Sequence, residues 1–113
     1  MKKTPLASLQ RNYERLRQSL ARIGYISQGS VLDRSKLKSP RTGYQWTRKL
    51  ARKTITVALS PQQFQALDQA VRNRRTLNKT LRQMEKISRQ ILFTSLPDTS
   101  RRKRLTHKVL GVN

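Results

Sequence analysis

The chain has 113 residues, enough for one small domain, and sets 26 Lys and Arg against 5 Asp and Glu, one His and no Cys. A formal charge of +21 repels itself in a compact state and attracts phosphate-rich partners, nucleic acid first and an anionic membrane surface second. Without cysteine there are no disulfides and no Cys-based zinc centres, which fits a reducing compartment.

The first element runs through TPLASLQRNYERLRQSLARIG. Thr4 suits an N-cap and Pro5 the first helical position, where its missing N–H costs nothing. Leu6, Leu9, Tyr13, Leu16, Leu20 and Ile23 recur at steps of 3 and 4, so the spacing predicts an amphipathic helix over 5–23, ended by Gly24. Such a stripe is a packing seam, within the chain or between two copies in a homodimer. Arg11, Arg15, Arg17 and Arg22 occupy the remaining faces. Apolar steps ringed by arginine also describe a helix lying on a membrane. Here Asn12, Glu14, Gln18 and Ser19 interrupt the polar side, and no membrane role is expected.

Next comes YISQGSVLDRSKLKSPRTG, punctuated by Gly29, Pro40 and Gly43. A short strand near Ser30–Arg34 and then a loop are expected. The loop carries Arg34, Lys36, Lys38 and Arg41 with one acid, Asp33. In YQWTRKL, alternation puts Tyr44, Trp46, Arg48 and Leu50 on one side; in TITVAL it puts Ile55, Val57 and Leu59 on one side. Two such runs joined by the cationic link Ala51–Lys53 read as a hairpin, although the turn lacks Asn-Gly or Asp-Gly.

Ser60-Pro61 is an N-cap followed by a first-turn proline. The segment to Phe93 has no glycine and no further proline. Phe64, Leu67 and Val71 form one apolar patch; Leu77, Leu81, Met84, Ile87 and Ile91 form another. The step from 71 to 77 shifts the phase, so one long helix or two helices broken near Arg72–Thr76 both satisfy the pattern. Pro97 stops the helix. Beyond it Arg101, Arg102, Lys103, Arg104 and Lys108 make the densest charge run. The expected fold is therefore α+β: an N-terminal helix, a small antiparallel sheet, and a long C-terminal helix packed antiparallel on the first helix. Residues 1–96 make the domain and 97–113 a basic, flexible tail. With hydrophobic residues at 35%, the core is modest, and its stability leans on a partner or on self-association.

Catalytic chemistry has little to work with. His107 stands alone in the tail, and Glu14, Asp33, Asp68, Glu85 and Asp98 are scattered. No glycine-rich phosphate cradle or nucleophile triad is present. No cofactor is implied and a non-enzyme is expected. A metal-dependent nuclease stays open, because folding that gathers Asp33 with Asp68 or Glu85 would build one. The basic, aromatic hairpin is the better candidate. Arg34, Lys36, Lys38, Arg41, Arg48, Lys49, Arg52 and Lys53 would neutralise phosphates, with Arg101–Arg104 as a reinforcing arm. Tyr44 and Trp46 would stack on bases, or else serve as the sheet's core face. The expectation is a non-catalytic nucleic-acid-binding protein, with DNA favoured over RNA. The alternative is a helical assembly protein that docks on an acidic protein partner. No run approaches the roughly 20 apolar residues of a membrane span, and the first residues lack the apolar stretch of a signal peptide; a cytoplasmic location is expected.

The order of these motifs resembles a family of small bacterial proteins classed as a domain of unknown function, common in cyanobacteria, some of whose members lie near transposases. The resemblance rests on Gly29-Ser30-Val31, Arg34, Gly43, Tyr44, Arg48-Lys49, Lys53-Thr54 and Leu59-Ser60-Pro61-Gln62-Gln63, and covers roughly residues 28–90. Many members carry a cysteine-bearing loop where this chain has SKLKSPRT, and a glycine in the hairpin turn where it has Ala51-Arg52. By association, the resemblance implies a DNA-related role linked to mobile elements.

Overall fold

The computed structural model describes residues 4–100 and 104–112. Its elements are α1 (Leu6–Leu20), β1 (Ser30–Asp33), a 3₁₀ turn (Arg34–Lys36), β2 (Tyr44–Leu50), β3 (Lys53–Leu59), α2 (Pro61–Ser95) and α3 (His107–Leu110). The fold is α+β, with α2 packed antiparallel on α1. The chain divides into two compact units. The first joins the residues up to Arg22 with those from Asn78 onward, and the second is Ile23–Leu77.

In the first unit, α1 starts one residue later than its sequence predicts. Pro5 holds an extended ψ of 143° and stands at the N-cap with no side-chain cap, so Thr4 does not fill that role. The helix also stops short of Ile23. Its last turn tightens into Ala21 N–H to Gln18 O and Arg22 N–H to Ser19 O, and Ile23 falls into the second unit. Of the stripe, Leu9 is buried, Tyr13, Leu16 and Leu20 are half-buried, and Leu6 is exposed. Met84, Thr80 and Val112 are the other buried residues of this unit.

The tail contains the short helix α3. Thr106 Oγ1 accepts from Val109 N–H at its start. At its end Gly111, at φ 67°, lets Val112 N–H reach His107 O and Gly111 N–H reach Lys108 O, the paired bonds of a Schellman stop. Arg89 donates to the carbonyls of Leu110 and Gly111.

The second unit is a three-stranded antiparallel meander, β1-β2-β3, followed by the first half of α2. β1 is paired with β2 from Ser30↔Thr47 to Asp33↔Tyr44, and β2 with β3 from Tyr44↔Leu59 to Leu50↔Lys53. The turn is therefore the two residues Ala51 and Arg52, one fewer than the link read from sequence. Both have positive φ, 48° and 70°, as a type I′ turn demands. Non-glycine residues adopt this at a cost of about 1 kcal/mol each.

α2 begins in a reciprocal capping box. Gln63 N–H donates to Ser60 Oγ at 3.1 Å, and Ser60 N–H donates to Gln63 Oε1 at 2.9 Å. The helix then runs unbroken for 35 residues, about 52 Å, which selects the continuous alternative through Arg72–Thr76. Phase-shifted apolar patches need no break when each faces a different neighbour.

Candidate nucleic-acid interface

Alternation along β2 and β3 sorts the hairpin into two faces. Tyr44, Trp46, Arg48 and Leu50 share one with Lys53, Ile55, Val57 and Leu59. Gln45, Thr47 and Lys49 share the other with Thr54, Thr56 and Ala58. The first face is anchored at one end. The Tyr44 ring stacks on Phe64 of α2 with centroids 4.3 Å apart. Trp46 is half-buried and donates its indole N–H to the Gln28 carbonyl at 2.9 Å. Arg48 lies 6.0 Å from the Trp46 ring centroid, at the limit of a cation–π contact. Both aromatic rings singled out for base stacking are thus engaged inside the unit.

The second face is polar and open. Ser30 and Thr47 join their hydroxyls at 3.1 Å, and Thr54 and Thr56 beside them are exposed. Arg34 reaches this face, donating from Nε to Gln45 Oε1 at 3.2 Å. Its backbone also closes the basic loop. Arg34 N–H bonds Gly43 O, and Arg34 O accepts from Leu37 and Arg41 N–H. Asp33 caps the 3₁₀ turn by accepting from Ser35 N–H at 3.0 Å and Ser35 Oγ–H at 2.7 Å. These bonds, the Ser35 hydroxyl first, hold the Asp33 carboxyl below its ordinary value, and nearby Lys36 adds to the effect. Lys36, Lys38 and Arg41 project exposed from this closed loop.

The cations do not all meet. Arg48 and Lys53 are on one face of the hairpin, Lys49 is on the other, and Arg52 is in the turn. Because β1 pairs only as far as Thr47, residues 48–55 continue as a two-stranded ribbon. Of the expected arm, Arg101, Arg102 and Lys103 lie outside the described residues, and Arg104 is exposed.

In the second unit eleven Lys and Arg face two acids, Asp33 and Asp68. Asp68 is taken by Arg72 at 3.2 Å. Lys38, Arg41, Lys49, Arg52 and Lys53 make no ion pair or side-chain hydrogen bond among the described residues. No group of three His, Asp or Glu gathers there into a metal site. No described helix is long and apolar enough to cross a membrane.

A second basic surface was missed in the sequence. In the first unit Lys79, Arg82, Lys86 and Arg89 recur at steps of 3, 4 and 3 along α2. Together with Gln83, Gly111 and one acid, Glu85, they line a shallow concavity of about 400 Å³. The signal was present: cations at helical spacing define a face as surely as apolar residues do.

No family model matches the chain, and neither the curated proteins nor the solved structures contain a significant match.

Proposed function

We propose that the chain is a non-catalytic nucleic-acid-binding protein that holds backbone phosphates, with DNA as the favoured ligand. One observation carries the reading: the exposed cations of the loop and hairpin, Lys38, Arg41, Lys49, Arg52 and Lys53, have no anion of their own among the described residues. A fold gains nothing from holding like charges together in water. A polyanion turns that cost into affinity by releasing its counterions. The motif order set out in the sequence analysis points, by association alone, to the same ligand and to an accessory role in mobile-element biology.

The test is fluorescence anisotropy against duplex DNA, single-stranded DNA and structured RNA, each titrated with salt. Duplex binding is expected to survive at physiological ionic strength, with log Kobs falling linearly in log salt. Equal collapse of all three ligands would overturn the reading. A second reading, assembly through helices, is favoured by the exposed Leu92, Phe93 and Leu96 near the end of α2. It predicts a salt-resistant oligomer that ignores nucleic acid.

A further inference from the structure

The ribbon beyond β1 differs from an ordinary charged surface in how its cations are arranged. A protein that lies flat on a phosphate backbone needs cations on one face. Here strand alternation places Arg48 and Lys53 on one face and Lys49 on the opposite one, with Arg52 at the tip between them. Such a layout serves a ligand with anionic walls on both sides. The ribbon is also free to enter one. β1 ends its pairing at Thr47, so β2 continues for three residues, about 10 Å, with β3 as its only strand partner among the described residues. The two-residue turn keeps the end narrow. Leu50, adjacent to the turn, is 51% exposed although its pair partner Lys53 stands beside it.

We infer that residues 48–55 enter the major groove of B-form duplex DNA tip first, with Lys49 reaching one phosphate wall, Arg48 and Lys53 the other, and Leu50, on the Arg48 face but next to the turn, carried down to the edge of the groove floor. The inference rests on the nucleic-acid reading above and adds the ligand's form and the mode of contact. The major groove of B-DNA is about 12 Å wide and admits a two-stranded β-ribbon. The corresponding groove of A-form RNA is deep and narrow, and excludes one. Single strands have no second wall. With Tyr44 on Phe64 and Trp46 tied to Gln28, Leu50 is the apolar side chain at the ribbon's end. Thymine methyl groups in the groove are its natural contact.

The chain lacks cysteine, so Leu50→Cys introduces a single thiol in the full-length protein. Its alkylation rate is measured free and with saturating duplex DNA, duplex RNA of the same sequence, or single-stranded DNA, saturation being read by anisotropy. Duplex DNA is expected to slow alkylation at least fivefold, and the other two less than twofold. In parallel, Lys49→Gln, Arg52→Gln and Lys53→Gln are combined on these exposed positions, with folding checked by circular dichroism. Removing one phosphate-binding cation lowers the slope of log Kobs against log salt by about 0.9, so the triple variant, which takes away the wall contacts of Lys49 and Lys53, loses about 1.8. Tight duplex binding with an unprotected thiol, or with an unchanged slope, overturns groove insertion and leaves the nucleic-acid reading standing. Equal protection by duplex RNA overturns it as well. Failure of the parent protein to bind any of the three ligands removes the function and the ribbon's role together.

Discussion

Gly29 is the residue on which the aromatic anchor of the sheet depends. At φ 98° it occupies a conformation that side-chain-bearing residues avoid. A Cβ there would collide with the Thr47 carbonyl and come within 2.6 Å of Trp46 Nε1. Neither neighbour has room to withdraw: one is backbone in the β1–β2 ladder, and the other is bonded to Gln28 O. Gly29→Ala is therefore expected to cost roughly 2 kcal/mol or more and to change the Trp46 fluorescence of the folded state. Urea titration followed by that fluorescence checks both. A variant as stable as the parent would remove Gly29 from this role. In the sequence Gly29 reads as loop punctuation. Its demand comes from the close approach of Trp46, 17 positions further along the chain and brought near only by the pairing of β1 with β2.

At the scale of elements, local chemistry was the most legible. Ser60-Pro61-Gln62-Gln63 announces the start of α2, and the capping box forms. Period-two alternation in TITVAL and YQWTRKL gives both strands and their faces, because a strand's side-chain direction is a local property. Less was legible where a neighbour decides. Ile23 fits the α1 stripe by spacing but leaves the helix, since it belongs to the other unit. The fate of Tyr44 and Trp46 depends on Phe64 and Gln28, which lie 20 and 18 positions away. The α3 cap on Arg89 joins residues 21 and 22 positions apart. The 3₁₀ turn after β1 shows how such an element responds to pH. Asp33 caps it, and its carboxyl is held below the ordinary range by the Ser35 hydroxyl and N–H. A carboxylate with a lowered folded-state value stabilises its turn above the unfolded value, near about 4. That stabilisation fades as pH falls through the folded value. An NMR titration of the Asp33 carboxyl is expected to give a midpoint below that of an ordinary aspartate, and Ser35→Ala should move it upward. Coinciding midpoints would refute the cap.

For the whole molecule, charge and core size pull in the same direction. No described side chain is fully buried, and the buried hydrophobic set is Leu9, Ala70, Val71, Met84 and Val112. A chain with +21 charge and so thin a core gains stability when its self-repulsion is screened. The free protein's Tm is expected to rise from low to physiological salt, where the Debye length is about 8 Å. Saturating duplex DNA reverses the sign. At a hundred times Kd a ligand adds about 2.7 kcal/mol, roughly 10 °C for a chain of this size. That increment shrinks as salt weakens binding. Two thermal series, with and without duplex, should therefore converge as salt increases. Parallel series, or a free Tm indifferent to salt, would contradict this.

The pairing of β1 ends at Thr47 while its neighbours continue to the Ala51-Arg52 turn, so the reach of the arm is separable from the body that carries it. Adding two residues to each strand beyond Thr47 would extend it by about 7 Å and leave every cation on its original side. Adding one to each would exchange the sides of the cations at its tip. The chain thus offers an adjustable probe whose length and facing can be set independently of the sheet and helix behind it.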